Sequence, residues 1–378
     1  MKLALVGLAH PFRGGVAHFT ASLARTLETR HEVKLFSLAK QYPRLLFPGR
    51  TQMDKSESPH RYPAEPVLKP LNPLSWLETG RRIRAFSPDV VVMEHWHPFF
   101  APCYAAAALL AKKGGARVVV EMHNVLPHEA TPLDRMLLAP LLRAADGFVV
   151  HSAQDASVLA GLVRGKPVTV GFHPRYSHFS GIRGSISREE ARRKLGVPAD
   201  CRLLLFFGLV RAYKGLMDLL DAAPLVPLDS SFRVLVVGEF YDDKEKYLRR
   251  IQELGIHDLV QVQDQYVPDE EVAVYFAACD VVVLPYRTAT QSGIAQIAFA
   301  EGRPVIVTDV GGLPEAVAHG QTGLIAQASN PASLADMIRR FFDGNLGPQM
   351  ERTLAERSSE GSWEALAAII EDLIRKLS

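Results

Sequence analysis

Residues 203–215 read Leu203-Leu204-Leu205-Phe206-Phe207-Gly208-Leu209-Val210-Arg211-Ala212-Tyr213-Lys214-Gly215. Five apolar residues in a row fit a strand buried on both faces, as in a parallel sheet. A glycine turn follows, and then Arg211 and Lys214 at the start of a helical pattern. A helix start has free N–H groups and the positive end of the helix dipole, so two added cations make it an anion site. The bland alternative is two surface cations on a loop.

The same alternation extends in both directions. Toward the C-terminus, apolar runs recur at residues 234–237, 260–262, 281–284, 305–307 and 324–325. Toward the N-terminus they lie at 3–6, 33–36, 90–93, 118–122, 148–150 and 168–170. Gly14-Gly15 opens a helix with Val16, Phe19, Leu23 and Leu27 on one face. Residues 42–73 are rich in proline and are expected to be irregular. Residues 176–184 are polar and contain glycine, as a linker does. Ser187 with Glu190 then makes a capping box before a short helix ending at Gly196-Val197-Pro198. Trp363, Leu366, Ile370, Leu373 and Leu377 line one face of a last amphipathic helix. Two successive strand–helix series predict an α/β protein with two Rossmann-like, doubly wound parallel sheets facing a cleft. The expected division is residues 1–175 with 358–378, a linker at 176–198, and a second domain at 199–357.

Composition agrees. The chain has 378 residues, 48% hydrophobic and 22% charged, a length that suggests two globular domains. Cys103, Cys201 and Cys279 have no metal-ligand spacing and are odd in number, which argues against a disulfide scaffold and fits a reducing, cytoplasmic setting. No run approaches the ~20 apolar residues of a spanning helix, and the N-terminus reads as a first strand rather than a signal peptide. Residues 1–175 hold 22 Lys and Arg against 13 Asp and Glu, while the remainder holds 21 against 28. A basic first half suits a phosphate-bearing ligand or an anionic membrane, with Arg81, Arg82 and Arg84 as the candidate cluster; an ordinary solvated helix face explains them equally well.

Further signals stand at strand ends. After residues 281–284 come Gln291, Ser292 and Gly293, just before a small-residue helix that includes Gln296; exposed N–H groups there suit a second phosphate. After residues 305–307 comes Gly311-Gly312-Leu313-Pro314-Glu315, where paired glycines admit a ligand near the backbone. His123 ends the run 118–122, and Glu94-His95-Trp96-His97 ends the run 90–93, which is expected to face the cleft. His95 and His97 lack a third metal ligand nearby and are better read as acceptor contacts, with plain loop packing the close alternative. Gly7-Leu8-Ala9-His10 is not a G-x-G-x-x-G turn, which argues against a dinucleotide oxidoreductase.

Together these pieces resemble a known family. Gly14-Gly15-Val16, His31-Glu32-Val33, Gly208…Lys214-Gly215, Val237-Gly238, Tyr266-Val267-Pro268-Asp269, Gly302-Arg303-Pro304-Val305-Ile306 and Gly311-Gly312-Leu313-Pro314-Glu315 match, in order, retaining nucleotide-sugar glycosyltransferases of the GT-B fold, group 1 (family 4). The resemblance implies a hexose moved from a nucleoside-diphosphate sugar to a glycan or lipid-linked acceptor, as in polysaccharide biosynthesis. The second domain would hold the donor and the first the acceptor, with the final helix crossing back to the first domain. Arg211 and Lys214 would hold the diphosphate. Tyr266 and Val267 would line the base pocket, and Ser292, Gly293 and Gln296 would complete the donor site. Gly14 and Gly15 would approach the diphosphate, and His123 the transferred sugar.

Two departures stand out. The family's arginine directly after the glycine is Leu209 here, with Arg211 two residues on. Its paired glutamates fall at Ala289 and Ile297, leaving three readings: a donor held by amides and hydroxyls, an unusual donor, or an inactive protein. No Asp-x-Asp signature is present, so neither a metal nor another cofactor is expected, and no nucleic-acid partner. The competing functions are a nucleotide-sugar epimerase of similar fold and a non-catalytic binding subunit. The location expected is cytoplasmic, with peripheral contact at the inner membrane face.

Overall fold

The computed structural model describes residues 1–43, 47, 49–127, 130–181, 186–226 and 232–377. The chain forms two compact units. The first comprises Met1–Asp54, Pro59–Pro174 and Gly361–Ser378; the second comprises Lys55–Ser58 and Arg175–Glu360.

The sheet of the first unit contains β1 (Lys2–Gly7), β2 (Glu32–Leu38), β3 (Ala64–Leu68), β4 (Val90–His95), β5 (Arg117–Met122), β6 (Gly147–Val150) and β7 (Val168–Val170). Their order is β3-β2-β1-β4-β5-β6-β7, and every pairing is parallel. The continuous apolar runs are explained by burial: Leu3, Leu5, Val91, Val92, Val119 and Val120 are all enclosed, on both faces of the sheet. β3 lies inside the stretch expected to be irregular. It carries Pro66, which cannot donate to a ladder, and it is tolerated because β3 is the edge strand.

The second unit repeats the plan with β8 (Arg202–Phe207), β9 (Phe232–Val237), β10 (Val260–Gln263), β11 (Val281–Leu284), β12 (Val305–Thr308) and β13 (Gly323–Ala326). Their order is β10-β9-β8-β11-β12-β13, again all parallel. Strand order reverses between β1 and β4 in one sheet and between β8 and β11 in the other. Such a reversal opens a crevice at the carboxyl ends of the strands, where ligands bind in this kind of sheet.

Of the stretch read as a linker, residues 182–185 lie outside the described residues. Tyr176 is buried, and Ser187 Oγ accepts from the Glu190 amide at 3.2 Å to start the helix Arg188–Leu195. That helix ends at Gly196 in the left-handed region (φ 66) and packs on the helix Asp269–Ala278 of the same unit. The last helix, Trp363–Leu377, belongs to the first unit and lies against the helix Gly15–Glu28. Its Leu366, Ile370, Leu373 and Ile374 are buried. Its Glu371 takes hydrogen bonds from Arg30 Nη1 (3.1 Å) and His31 Nε2 (2.9 Å). His31, part of the motif at β2, thus anchors the end of the chain.

Candidate active site

In the second unit three loops meet at the carboxyl ends of β8, β11 and β12. Glycine makes their contact possible. Gly238 (φ 153) passes so close to the first loop that a Cβ would lie 1.9 Å from the Gly208 carbonyl oxygen. Gly311 (φ 56) approaches the second loop, and a Cβ there would lie 1.6 Å from the Ala289 oxygen. The first two loops are joined by the Arg287 amide donating to Tyr213 O at 2.7 Å. Gly312 N donates to Thr290 O at 2.9 Å, tying the second loop to the third.

Lys214 stands in this junction. Its Nζ is 5.3 Å from the centre of the Tyr286 ring. Among the described residues no carboxylate pairs with it, and burial lowers its amine below the ordinary lysine range. A desolvated, uncompensated ammonium favours an anionic partner. Arg211 is exposed, with its guanidinium 5.2 Å from the Tyr241 ring centre. Arg287, by contrast, is bound by Asp218 in a two-pronged pair (2.8 and 2.6 Å), so its charge is already met. Ser292 is the N-cap of the helix Gly293–Ala300: its Oγ accepts from Ala295 N at 3.4 Å and lies 3.3 Å from Tyr286 Oη. Gln296 and Val267 are buried and Tyr266 is half-buried. Gln291 Nε2 donates to Gly312 O at 3.4 Å. Ala289 and Ile297 are buried apolar side chains, so no carboxylate enters at the two positions where the family pattern has glutamates.

In the first unit Gly14 adopts φ 110 at the start of the helix Gly15–Glu28, which has no side-chain cap, and the space beside Gly14 is open. His123 follows β5 and is almost enclosed. Its Nε2 lies 2.5 Å from Glu94 Oε2, and its ring is edge-on to Phe19 at 4.5 Å. His151 stacks on it at 5.3 Å. Burial holds His123 and His151 down to about 3, so both are neutral at physiological pH. His97 Nδ1 accepts from the Phe99 amide at 3.2 Å and so caps the turn Pro98–Phe100. Glu94 and His95 are fully buried, beneath the surface on which the run was expected to open. The sequence places Glu94 at the end of its strand without a role of its own, and does not single out Glu121 or His151. The available signal was an acid inside or at the end of an apolar run, which is costly to bury without a role.

Of the candidate basic cluster, Arg82 is paired with Glu65 and Glu78. The helix that carries it, Pro73–Phe86, presents Leu74 (75% exposed) and Leu77 (41%), with Leu71 (68%) just ahead of it.

Two doubly wound units, each with ligand-ready loops at its switch point, define the GT-B class of fold. Solved structures share it across the whole chain. An Anabaena protein, HepE in complex with UDP, superposes with a TM-score of 0.76 at 19% identity, covering 100% of both chains. Sucrose-phosphate synthase from Thermosynechococcus elongatus gives 0.74 at 21%, covering 100% of this chain and 98% of the other. Residues 13–172 match the family described as Glycosyltransferase Family 4, and residues 201–343 match Glycosyl transferases group 1. The chain belongs to this group 1, or family 4, glycosyltransferase family. It is 33% identical over 275 residues to D-inositol 3-phosphate glycosyltransferase 1 of Catenulispora acidiphila, 68% of this chain and 64% of that protein. The corresponding enzyme of Streptomyces scabiei is 30% identical over 282 residues, 69% of this chain and 63% of that protein. The match therefore spans less than two thirds of the length of these relatives.

Proposed function

We propose that the protein transfers a hexose-type sugar, with retention of anomeric configuration, from a nucleoside-diphosphate sugar to a glycan or lipid-linked acceptor. The observation that carries this reading is Lys214, an uncompensated and partly desolvated cation where three strand-end loops converge. The reaction breaks the bond between the anomeric carbon and the diphosphate. Negative charge grows on the departing phosphate while the sugar takes on oxocarbenium character. Cations and amide N–H groups fixed beforehand around that phosphate stabilise the transition state more than the ground state. Lys214 is the first such group, Arg211 the second, and the N-terminus of the helix Gly293–Ala300 the third. With apolar side chains at 289 and 297, the sugar and ribose hydroxyls fall to Gln291, Gln296 and the backbone at Gly311-Gly312.

The acceptor is assigned to the first unit, with His123 hydrogen-bonding the sugar or the acceptor and His97 near its rim. The names of the relatives, D-inositol 3-phosphate glycosyltransferases, favour a phosphate-bearing acceptor, which suits the excess of basic residues in 1–175. HepE is seen in complex with UDP and with UDP-glucose, which favours a uridine donor here. The exposed leucines beside Arg81 and Arg84 favour transient contact with an anionic membrane.

The test is a panel of uridine, guanosine and adenosine diphosphate hexoses, each with inositol phosphate, oligosaccharide and lipid-linked acceptors. Release of nucleoside diphosphate is followed, and the anomeric configuration of the product is read by NMR. Acceptor-dependent release with a retained anomer supports the proposal. Donor turnover without acceptor, yielding an isomeric sugar, marks an epimerase. Binding without any turnover marks a non-catalytic subunit.

A further inference from the structure

Glu94 and Glu121 are register partners on the adjacent strands β4 and β5, and both are fully buried. Register partners on parallel strands project to the same face of the sheet. The period of two along β5 carries His123 to that face as well. Room for Glu94 comes from Gly7 at the end of β1, where a Cβ would lie 2.9 Å from Glu94 Cγ. Glu94 Oε2 meets His123 Nε2 at 2.5 Å. Glu94 Oε1 and both oxygens of Glu121 are buried with no hydrogen-bond donor among the described residues.

Ionised carboxylates only accept, so two of them side by side without a donor are satisfied when at least one keeps its proton. His151 shows where that proton sits. Its Nδ1 is 3.0 Å from the Phe172 carbonyl, which can only accept, so this nitrogen carries the hydrogen. The neutral ring then presents Nε2 as an acceptor, 3.5 Å from Glu121 Oε1. Glu121 is therefore the protonated member. The other titratable groups around the pair are His95 on β4, His173 after β7 and Tyr104 on the helix Ala101–Lys112. The helix Gly15–Glu28 contributes Phe19 and Thr20, and the last helix contributes Trp363, which packs on Phe19. Among the described residues, no three of Glu94, Glu121, His123 and His151 bring ligand atoms within 4.8 Å of one another, so the group is not arranged as a cation site.

We propose that Glu94 and Glu121 form a proton-sharing pair that sets the tautomer of His123, and thereby decides whether its Nδ1 offers a donor or an acceptor. With both acids neutral, Glu94 donates its O–H to His123 Nε2, and Nδ1 carries the ring hydrogen. When one proton leaves, Nδ1 gives its hydrogen to solvent and the Glu94 proton passes to Nε2. Glu94 is then ionised and accepts from the N–H of His123, while Glu121 keeps its O–H. The ring is neutral in both states. Burial pushes Glu94 up to about 8 and Glu121 well above the usual carboxylate range, which puts the exchange at mildly alkaline pH. The catalytic meaning rests on the role given to His123 above; the tautomer itself does not.

The experiment is long-range 1H–15N NMR of the whole protein labelled with 15N-histidine, from pH 6 to 9.5, without donor or acceptor. The His123 signals are assigned by their loss in His123→Asn. The expected result is that the Nδ1 and Nε2 shift patterns exchange near pH 8 with no imidazolium signature. In Glu94→Gln, which cannot ionise, one tautomer persists throughout. A single tautomer across the range in the native protein, an imidazolium forming between pH 6 and 7, or an exchange that survives in Glu94→Gln would each overturn the proposal. The native titration decides alone should Glu94→Gln fail to fold. Because no turnover is read, failure here is separable from failure of the transferase reading.

Discussion

Acidification should unfold the first unit before the second. His95, His123 and His151 are held down to about 3 by burial, His18 and His60 to about 4, and His173 well below the ordinary histidine range. All six lie in the first unit. Their folded values are depressed, so the stability they contribute is complete above about 6.5 and is lost as pH falls toward the folded values. Glu94 and Glu121 are raised, so their contribution is complete below about 4.5 and is lost as pH rises through the folded value, about 8 for Glu94. Near pH 5 unfolding takes up almost one proton at each of six histidines and releases almost one from each of two acids. The net uptake of about four protons gives a slope of about 5 kcal/mol per pH unit. Stability therefore peaks at about pH 7, where uptake and release balance, and falls on both sides. The assay is urea unfolding followed by tryptophan fluorescence, since Trp76, Trp96 and Trp363 all lie in the first unit and the chain has no other tryptophan. The urea midpoint should drop clearly between pH 6.5 and 5. A midpoint that stays level, or rises, would refute the linkage between these buried histidines and folding.

Other outcomes follow from single contacts. Gly311→Ala places a methyl 1.6 Å from a carbonyl oxygen at a left-handed position, so the second unit should lose about 2 kcal/mol or more, seen as a lower Tm by circular dichroism. A Tm within a degree of native would show that the two loops are not in contact. His123→Ala should cut turnover by about 10–100-fold, the worth of one or two hydrogen bonds at the reacting sugar, while nucleotide affinity stays within about twofold. Native turnover in that variant removes His123 from the site. In liposome sedimentation the protein should bind anionic vesicles at low salt and release them at high salt, since each cation near the surface is worth about 1 kcal/mol. Leu74→Glu should abolish that binding, and equal binding to neutral vesicles would contradict it.

The fold was legible because a strand buried on both faces leaves an uninterrupted apolar run, as at residues 118–120 and 281–284. β3 was not, since an edge strand tolerates Pro66 and needs no apolar continuity. The loops of the second unit were legible from their glycines and cations, because a close backbone approach and an anion site each demand a particular residue type. That Arg287 is compensated by Asp218 while Lys214 is not could only come from coordinates: the pair is 69 residues apart in sequence. The Glu94–Glu121–His123 group was hidden for a similar reason. Each acid closes or interrupts its own apolar run, and only the register of β4 on β5 brings the two together.

Isothermal titration of uridine, guanosine and adenosine diphosphate into the native protein and into Lys214→Ala tests the central claim most directly. One of the three should bind the native protein. Loss of a charge-assisted hydrogen bond of about 1.5–3 kcal/mol should weaken that nucleotide about 10–150-fold in the variant. Equal affinity in the two proteins, or no binding of any of the three to the native protein, would contradict the assignment of a nucleotide-sugar site at Lys214.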